Sequence, residues 1–427
     1  MPTAPIFNLN ELTQRTLPNG VRVVVREARG SGLVAVQLWL RAGSRLETSD
    51  TNGISHLLEH LVFRGDRADS PQQVIEDAGG QVNGETDKDA THFDAVVPAE
   101  AFEPTLRSLA AAVQRADWTP RQLDNARDTI EQELRGRLMQ PFQQANDLAY
   151  RAALRTHPYR LLAGGGFETL PSLELAHLKR HHAQHYVGAN LSVVIVGDVA
   201  RATALAAAQA ALGSTRRGES SLNRVFAAED WTGPRELTVN LPYRLSVLTL
   251  AFRAPGMAAP MEVWAMDVLV TLLGEGRRAR LRQRLIEQAK VAVEVDAQFI
   301  TRHDLGLLTM TMLVEPTNLG KAQVALVEEV RSLASGEISD DEVSRARARM
   351  EGVYAAQNET AEGQAGSLGF YEALGSYEHA IRYDAQLRAV TTDRVRSLAA
   401  KSLGRNTFAR VLIRGFGAPR TTGPVTP

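Results

Sequence analysis

The order of predicted elements repeats after a polar stretch in the middle of the chain, and this repeat limits the fold more than any other feature. Extended segments at 33–40 and 245–252 each end in an Arg-Ala pair and lead into a helix. Capping-box motifs at 119–122 and 339–342 each open a long helix that carries an Ala-Arg pair. Such an internal repeat predicts two homologous domains of like topology. Because strands and helices alternate irregularly, we predict an α+β fold in which each domain is a mixed, mainly antiparallel sheet packed with helices.

Composition and the repeat together set the expected domain boundaries. The 427 residues are 44% hydrophobic and 23% charged, which suits two soluble globular domains. Residues 214–233 are rich in Gly, Ser and Arg and predict a linker. We therefore expect an N-terminal domain at 1–213, a homologous C-terminal domain at 234–417, and a disordered tail at 418–427. The metal-binding motif at 56–60 occurs in the first domain and has no counterpart in the second, so a metal site is expected in the first domain alone.

Charge and residue types argue against several kinds of partner and site. The formal net charge of −1 gives no electrostatic reason to expect nucleic acid or a membrane surface as a partner. No apolar run approaches the roughly 20 residues that span a bilayer, and residues 1–14 lack the basic and apolar regions of a signal peptide. Since the chain has no cysteine, it has no disulfide and no thiolate, and any metal must be held by His, Asp or Glu.

The segment 56–60 reads H-x-x-E-H, a pattern typical of metal binding. On a helix, His56 and His60 lie on one face, so both imidazoles can bind the same ion. Glu59 lies on nearly the same face and can act as a general base toward a water on that ion. The alternative is that these three polar side chains only pair with one another inside a core.

The surroundings of this motif favour a buried helix. Asn52 and Gly53 can start it, and Ser55 can satisfy a free N–H near its beginning. Apolar residues fill the positions between and after the histidines, and Arg64-Gly65 supplies a C-terminal stop.

A third metal ligand is expected from the helix that follows Thr119. A catalytic zinc site generally has three protein ligands and one open position. This helix offers Glu131 and Glu133. Most glutamates on long helices are solvated, and spacing alone does not choose between the two.

With these residues in view, the chain resembles the pitrilysin/insulinase group of metallopeptidases, family M16, which includes the mitochondrial processing peptidases. The resemblance rests on the H-x-x-E-H motif and on segment 127–134, which is similar to the family's R-D-V-I-L-R-E-M. It implies that Glu133 is the third ligand beside His56 and His60. It also implies that the cofactor is Zn2+ and that Glu59 is the catalytic base.

The same resemblance implies how a substrate binds. The strand Asn83-Gly84-Glu85-Thr86 matches the family strand beside the site, so these four residues are expected to bind an unstructured peptide as an added strand. The family fold implies two halves around a closed chamber, which limits substrates to peptides or extended segments. The expected activity is that of a zinc-dependent endopeptidase or oligopeptidase.

The compartment stays open. Because no signal peptide is visible in residues 1–14, both the bacterial cytoplasm and the periplasm are possible locations.

Two departures from the family pattern change this interpretation. The position seven residues before the ligand, a glutamate in many active members, is Ala126. In the second domain, Ile286 and Val293 stand where complete members carry an Arg and a Tyr. Neither side chain donates a hydrogen bond to a developing oxyanion. The chain therefore resembles the zinc-bearing subunit of a two-subunit bacterial peptidase, whose zinc-less homologous partner brings the Arg/Tyr pair.

Two alternatives stay open at this point. The chain can be a non-catalytic scaffold or assembly subunit with the same fold, which Ala126, Ile286 and Val293 favour and the intact motif opposes. Separately, His181 and His185 are four residues apart and can be read as a second metal site, although an exposed amphipathic helix end explains them equally well.

Overall fold

The computed structural model describes residues 6–7, 9–63, 70–227, 229 and 231–416. Within them, the strands form two sheets. The first sheet contains β1 (Leu12–Thr16), β2 (Arg22–Glu27), β3 (Leu33–Leu40), β4 (Gln81–Thr86), β5 (Thr91–Pro98) and β6 (Leu191–Gly197). The second contains β7 (Arg235–Asn240), β8 (Ser246–Ala254), β9 (Glu294–Phe299), β10 (Gly306–Val314) and β11 (Ala409–Arg414). The expected stop at Arg64-Gly65 and the expected tail at 418–427 lie outside the described residues.

Helices surround both sheets. In chain order they are α1 (Ile54–Phe63), α2 (Pro71–Asp77), α3 (Phe102–Gln114), α4 (Pro120–Leu138), α5 (Pro141–Ala153), α6 (Leu175–His185), α7 (Arg201–Leu212), α8 (Pro260–Gly274), α9 (Leu319–Ala334), α10 (Asp340–Gln357), α11 (Ala361–Leu374), α12 (Glu378–Arg388) and α13 (Thr392–Leu403). A short π-helix covers Arg282–Gln288. Among the residues that the structure describes, no helix is long and apolar enough to cross a membrane.

The two sheets share one topology. Their strand orders are β1-β2-β6-β3-β5-β4 and β7-β11-β8-β10-β9. The five strands β2-β6-β3-β5-β4 therefore correspond, in this order, to the five strands of the second sheet, and β1 is an additional edge strand. One pair in each sheet is parallel, β2 with β6 and β7 with β11, and the other pairs are antiparallel. This confirms the predicted α+β fold with two mixed, mainly antiparallel sheets of like topology.

Both predicted capping boxes are present. At the start of α4, Thr119 and Gln122 exchange backbone-to-side-chain hydrogen bonds of 2.9 and 3.3 Å. At the start of α10, Ser339 and Glu342 exchange the same pair at 2.8 and 3.3 Å. These reciprocal bonds satisfy N–H groups that the first turn of a helix leaves free, so the repeat extends to the helix starts.

The main apolar core of unit 1 lies on one face of the first sheet, and α11 covers the other face of β3 and β6, whose residues are buried on both sides. Strand β5 alternates buried and half-buried residues, with Phe93, Ala95 and Val97 in the core. Apolar residues of α1, α3, α4 and α7 complete this core. Burying a large apolar side chain contributes about 1.5–3 kcal/mol to the stability of the fold. The face of β5 that carries Phe93, Ala95 and Val97 is therefore the face that the helices cover.

The described chain divides into two compact units that do not follow chain order. Unit 1 takes Met1–Gly136, His157–Ala227 and Glu351–Ala385, and unit 2 takes the rest. Helix α5 thus belongs with the second sheet, while α11 belongs with β3 and β6 of the first. The boundaries of the two homologous domains in the sequence stay a prediction.

A buried arginine attaches α11 to the first sheet. Arg41, at the end of β3, is 1% exposed and donates to the backbone carbonyls of Glu372 and, at 3.0 Å, of Ala373. The Glu372 carboxylate in turn pairs with Arg22. A buried charge needs partners of this kind because an unpaired one is strongly destabilising. Unit 1 therefore depends on a helix encoded more than three hundred residues after Arg41.

Candidate metal centre

The H-x-x-E-H segment lies in α1, whose first turn is held by a buried carboxylate. Glu47 is 3% exposed and accepts hydrogen bonds from the N–H groups of Gly53 and Ser55 and from the Asn52 side chain, all at 2.8–2.9 Å. A carboxylate there satisfies free N–H groups and interacts favourably with the helix dipole. The predicted start near Asn52 and Gly53 is confirmed. The predicted cap was wrong, because Glu47 rather than the Ser55 side chain supplies it.

Three donor atoms lie close together beside α1. The Nε2 atoms of His56 and His60 are 3.2 Å apart, and Oε2 of Glu133 lies 3.3 Å from the first and 3.5 Å from the second. Zinc bonds of about 2.0–2.2 Å place tetrahedral donors roughly 3.3–3.6 Å apart. The three donors therefore fit one zinc ion with a fourth position open.

Helix α4 turns Glu133, and not Glu131, toward the two histidines. Glu131 accepts a hydrogen bond from Arg135 at 2.6 Å, one turn further along the helix surface. Residues two positions apart on a helix point about 200° away from each other. Ala126, two turns before Glu133, is buried in the core of unit 1 and offers no charged support.

The charges of these groups reinforce one another. Hydrogen bonds to His56 and then His60 hold the pKa of the Glu133 carboxyl well below its usual range. Burial opposes the charged form of His56, but the hydrogen bond to Glu133 and the charge of Glu59 outweigh it and raise the pKa of His56. Glu133 is thus an ionised group facing two imidazole nitrogens, and a divalent cation would compete with a proton for this position.

A glycine-rich loop at 164–166 orients His56. A Cβ on Gly165, whose φ is +79°, would lie 2.6 Å from the Gly53 Cα, so only glycine permits this approach of loop and helix. The Gly164 carbonyl accepts a hydrogen bond from His56 Nδ1 at 3.3 Å. Because a carbonyl only accepts, the neutral His56 ring carries its proton on Nδ1, and its Nε2 lone pair is then available to a metal.

Glu59 faces strand β4, which ends the first sheet. The Thr86 hydroxyl donates to Glu59 Oε2 at 2.9 Å. A Cβ on Gly84 would lie 3.2 Å from Glu59 Oε1. Gly84 and Thr86 therefore face the motif, while Asn83 and Glu85 are exposed. The four residues expected to bind substrate thus divide into two that touch Glu59 and two that face outward.

Two family models match most of the chain. The model described as Insulinase (Peptidase family M16) matches residues 22–162, and the model described as Peptidase M16 inactive domain matches residues 172–350. The chain belongs to peptidase family M16. His56, Glu59, His60 and Glu133 lie within the first match, and the second includes residues 234–350 of the domain for which no metal site was expected.

Relatives of this M16 chain carry peptidase names. It is 25% identical over 356 residues to a probable mitochondrial-processing peptidase subunit beta of Arabidopsis thaliana, a match that covers 80% of this chain and 66% of that protein. It is 26% identical over 406 residues to an uncharacterized zinc protease of Mycobacterium leprae, a match that covers 93% of this chain and 90% of that protein. A similar relative from Bacillus subtilis is 26% identical over 411 residues, covering 94% and 98%.

Solved structures share the fold. A protease from Helicobacter pylori superposes with a TM-score of 0.86 at 22% identity, covering 94% of this chain and 99% of that one. A Pseudomonas fluorescens structure described as a peptidase M16 inactive domain superposes with a TM-score of 0.81 at 20% identity, covering 96% of this chain and 99% of that one. At these identities the likeness establishes the M16 fold alone.

In the second half of this M16 chain, the expected Arg/Tyr positions carry apolar side chains near a sheet edge. Ile286 lies in the π-helix, and Val293 directly precedes β9 and is 51% exposed. Arg284, close by, lies 3.6 Å from Glu329 within the same unit.

His92 lies on the far face of the first sheet from Glu59. Its neighbour Phe93 points into the core near Gly84, so the alternation of the strand turns His92 away. The His92 ring stacks on Trp39 at 4.1 Å, and its Nε2 lies 3.4 Å from Asp94. His92 is therefore not part of the metal centre.

The three histidines at the end of α6 are buried, so their interpretation as an exposed helix end is wrong. His181, His182 and His185 are all under 9% exposed, because α6 packs against α1. His182 bonds the Val113 carbonyl at 2.8 Å, while His181 Nε2 has no hydrogen-bond partner among the described residues. The metal-ligand groups within the described ranges do not include this cluster.

Acid is expected to destabilise the protein through these histidines. Burial lowers the pKa of His181 to about 3 and of His185 to about 4, with neighbouring His185 and Arg224, respectively, adding to the effect. Unfolded histidine binds its proton near pH 6.5. The contribution of each buried neutral histidine to the free energy of unfolding is therefore fully present above about pH 6.5. It is lost as the pH drops toward 4, by about 1.4 kcal/mol per pH unit for each histidine.

The measurement is urea unfolding of the wild type and of His181→Leu at several pH values between 7.5 and 5, a range about the ordinary histidine pKa. The variant should lose stability less steeply on acidification. If the free energy of unfolding fell equally with pH in both proteins, buried His181 would not be a cause of the acid sensitivity.

Sequence reasoning missed two supports of the metal centre, Glu47 and the Gly164 carbonyl. Glu47 lies seven positions before α1, and an acidic residue at that distance is a weak capping signal. Gly164 and His56 are separated by 108 positions. Three consecutive glycines predict a loop, but no local pattern tells which helix the loop contacts.

Proposed function

We propose that this M16 chain is the zinc-bearing subunit of an endopeptidase or oligopeptidase that hydrolyses unstructured peptides. The observation that supports this most strongly is the approach of His56, His60 and Glu133 to within 3.2–3.5 Å of one another, with Glu59 held beside them by Thr86. A core that merely paired its polar residues has no need to bring two imidazole Nε2 atoms and a carboxylate oxygen together at one point.

The proposed chemistry follows from these positions. Bound zinc would supply a polarised water at neutral pH and withdraw charge from the scissile carbonyl. Glu59 takes the proton of the attacking water on its carboxylate and later passes it to the leaving amine. Its Oε2 lies 3.8 Å from His56 Nε2, near the ligands but outside their closest set.

Substrate is proposed to bind along β4. Among the described residues, β4 pairs with β5 alone, so its other edge presents backbone groups that an extended peptide can bond. Asn83 and Glu85 are exposed on this strand and can contact side chains of the added peptide. The closed chamber around the site remains a prediction.

The proposed partner is a homologous M16 subunit that lacks zinc and carries the Arg/Tyr pair. Ile286 and Val293 cannot donate hydrogen bonds, so this chain lacks that contribution to stabilising the transition state. The similarity to a processing-peptidase beta subunit supports a paired assembly. The rival scaffold function keeps the fold but gives no role to the ordered contacts of Glu59.

Purified protein is expected to hold one zinc ion per chain. His60→Ala and Glu133→Gln each remove one of three donors, so both should lose most of the bound zinc on dialysis, whereas Glu131→Gln should retain it. Metal analysis of the three variants tests this. Full zinc content in Glu133→Gln would show that another residue is the third ligand.

The activity itself is tested by mass spectrometry of a mixture of unstructured peptides incubated with this chain and its partner. Cleavage should stop when a chelator removes zinc and return on adding Zn2+. An unchanged peptide mixture with zinc-loaded protein and partner would favour the scaffold function.

A further inference from the structure

Two threonine hydroxyls form a chain behind the Glu59 carboxylate. Thr86 of β4 and Thr91 of β5 are register partners. Thr86 Oγ1 lies 2.9 Å from Glu59 Oε2 and 3.1 Å from Thr91 Oγ1, and Thr91 Oγ1 lies 2.8 Å from the Ala42 carbonyl oxygen. Thr91 is fully buried. The chain therefore runs from the carboxylate into the core without exposure to solvent at its inner end.

The direction of these hydrogen bonds can reverse. Each hydroxyl has one proton to donate and lone pairs to accept. While Glu59 is a carboxylate, Thr91 can donate to Thr86 and Thr86 to Glu59. When Glu59 has taken a proton from water, it can donate to Thr86, Thr86 to Thr91, and Thr91 to the Ala42 carbonyl. Rotation of the two hydroxyls is enough, so Glu59 keeps a partner at the same atom in both forms.

We propose that Thr86 is a positioning residue for Glu59 and that Thr91 orients Thr86. This inference rests on the proposed peptidase function and gives Thr86 a role different from peptide binding. Strand addition uses the backbone of β4, whereas the Thr86 side chain points to Glu59. The other carboxylate oxygen, Oε1, lies beside Gly84, where a Cβ would come within 3.2 Å of it.

The consequence is a fixed base. A general base acts only when its oxygen is within hydrogen-bond reach of the proton it takes. Without Thr86, the carboxylate can rotate about its side-chain bonds and leave that position. A hydrogen bond to a charged group contributes about 1.5–3 kcal/mol, which corresponds to about a 10- to 100-fold change in rate.

The test compares Thr86→Val, which removes the hydroxyl at nearly constant shape, with Thr86→Ser, which keeps it. In peptide hydrolysis, Thr86→Val should lower kcat by about 10- to 100-fold, with KM and bound zinc unchanged. Thr86→Ser should stay near the wild type. Thr91→Val should give a smaller loss than Thr86→Val, because Thr86 can still donate directly.

Thr105→Val is the matched control. Thr105 is a buried threonine of α3 whose hydroxyl has no hydrogen-bond partner among the described residues, so its loss should leave kcat unchanged. Crystal structures of zinc-loaded Thr86→Val and Thr86→Ser add a readout independent of activity. The Glu59 carboxylate should leave its place beside β4 in the first variant and keep it in the second.

Wild-type kcat in Thr86→Val, or an unmoved Glu59 carboxylate in its structure, would overturn the inference. If the wild type with its partner cleaves no peptide, the proposed function is wrong instead. In that case the two crystal structures still decide whether Thr86 positions Glu59.

Discussion

Replacing Glu59 with glutamine is expected to remove peptide hydrolysis and to leave the fold and the bound zinc in place. Glutamine has the same shape and can still accept the Thr86 hydrogen bond, but it cannot take a proton from water. Loss of a general base lowers kcat by about 10²–10⁴-fold. Zinc should remain because Glu59 Oε2 is further from His56 Nε2, at 3.8 Å, than Glu133 Oε2 is, at 3.3 Å.

The assay is hydrolysis of a fluorogenic peptide, with metal analysis and thermal unfolding of the same preparation. Glu131→Gln is the matched control, since it makes the same chemical change on a residue that only pairs with Arg135 on the surface. It should hydrolyse the peptide at the wild-type rate. Near-normal turnover by zinc-loaded Glu59→Gln would rule out the proposed base.

Mixing this chain with a zinc-less M16 homologue that carries the Arg/Tyr pair should raise peptide hydrolysis strongly. The expected gain is about 10²-fold or more, the usual effect of one oxyanion donor. The physical reason is that Ile286 and Val293 contribute no donor, and a homodimer would combine two halves with the same deficiency. Mutating the Arg or the Tyr of the homologue should abolish the gain.

Two measurements make this test specific. A mixture that contains Glu59→Gln must be inactive, which shows that the zinc centre of this chain performs the cleavage. The purified chain alone supplies the baseline. If it cleaves as fast as any mixture, the heterodimer proposal is wrong, and Arg282 and Arg284 become the donors to examine, whereas His92 faces the opposite side of the sheet from Glu59.

Local patterns predicted the elements well because their causes are local. The spacing of His56 and His60 follows from the helical repeat, and the boxes at Thr119 and Ser339 use bonds that span three residues. The same reasoning failed for the histidines of α6, since a polar run at a helix end usually faces water, and here α6 packs against α1. Burial of a helix end depends on what covers it, which its own sequence does not contain.

The sequence by itself determined the duplicated α+β topology, the helix that carries His56, Glu59 and His60, and two glutamates as candidates for the third donor. Spacing left Glu131 and Glu133 open and the family resemblance implied Glu133, which the tertiary structure brings to the histidines. Tertiary structure alone decided that Glu47 caps α1 and that Thr86 contacts Glu59. It also decided that α11 completes the unit that contains the candidate metal centre. The difference has one physical reason. Hydrogen bonds and periodicities within a helix join residues three or four apart, whereas donor convergence and burial join residues tens to hundreds of positions apart, where only the packed chain defines the neighbours.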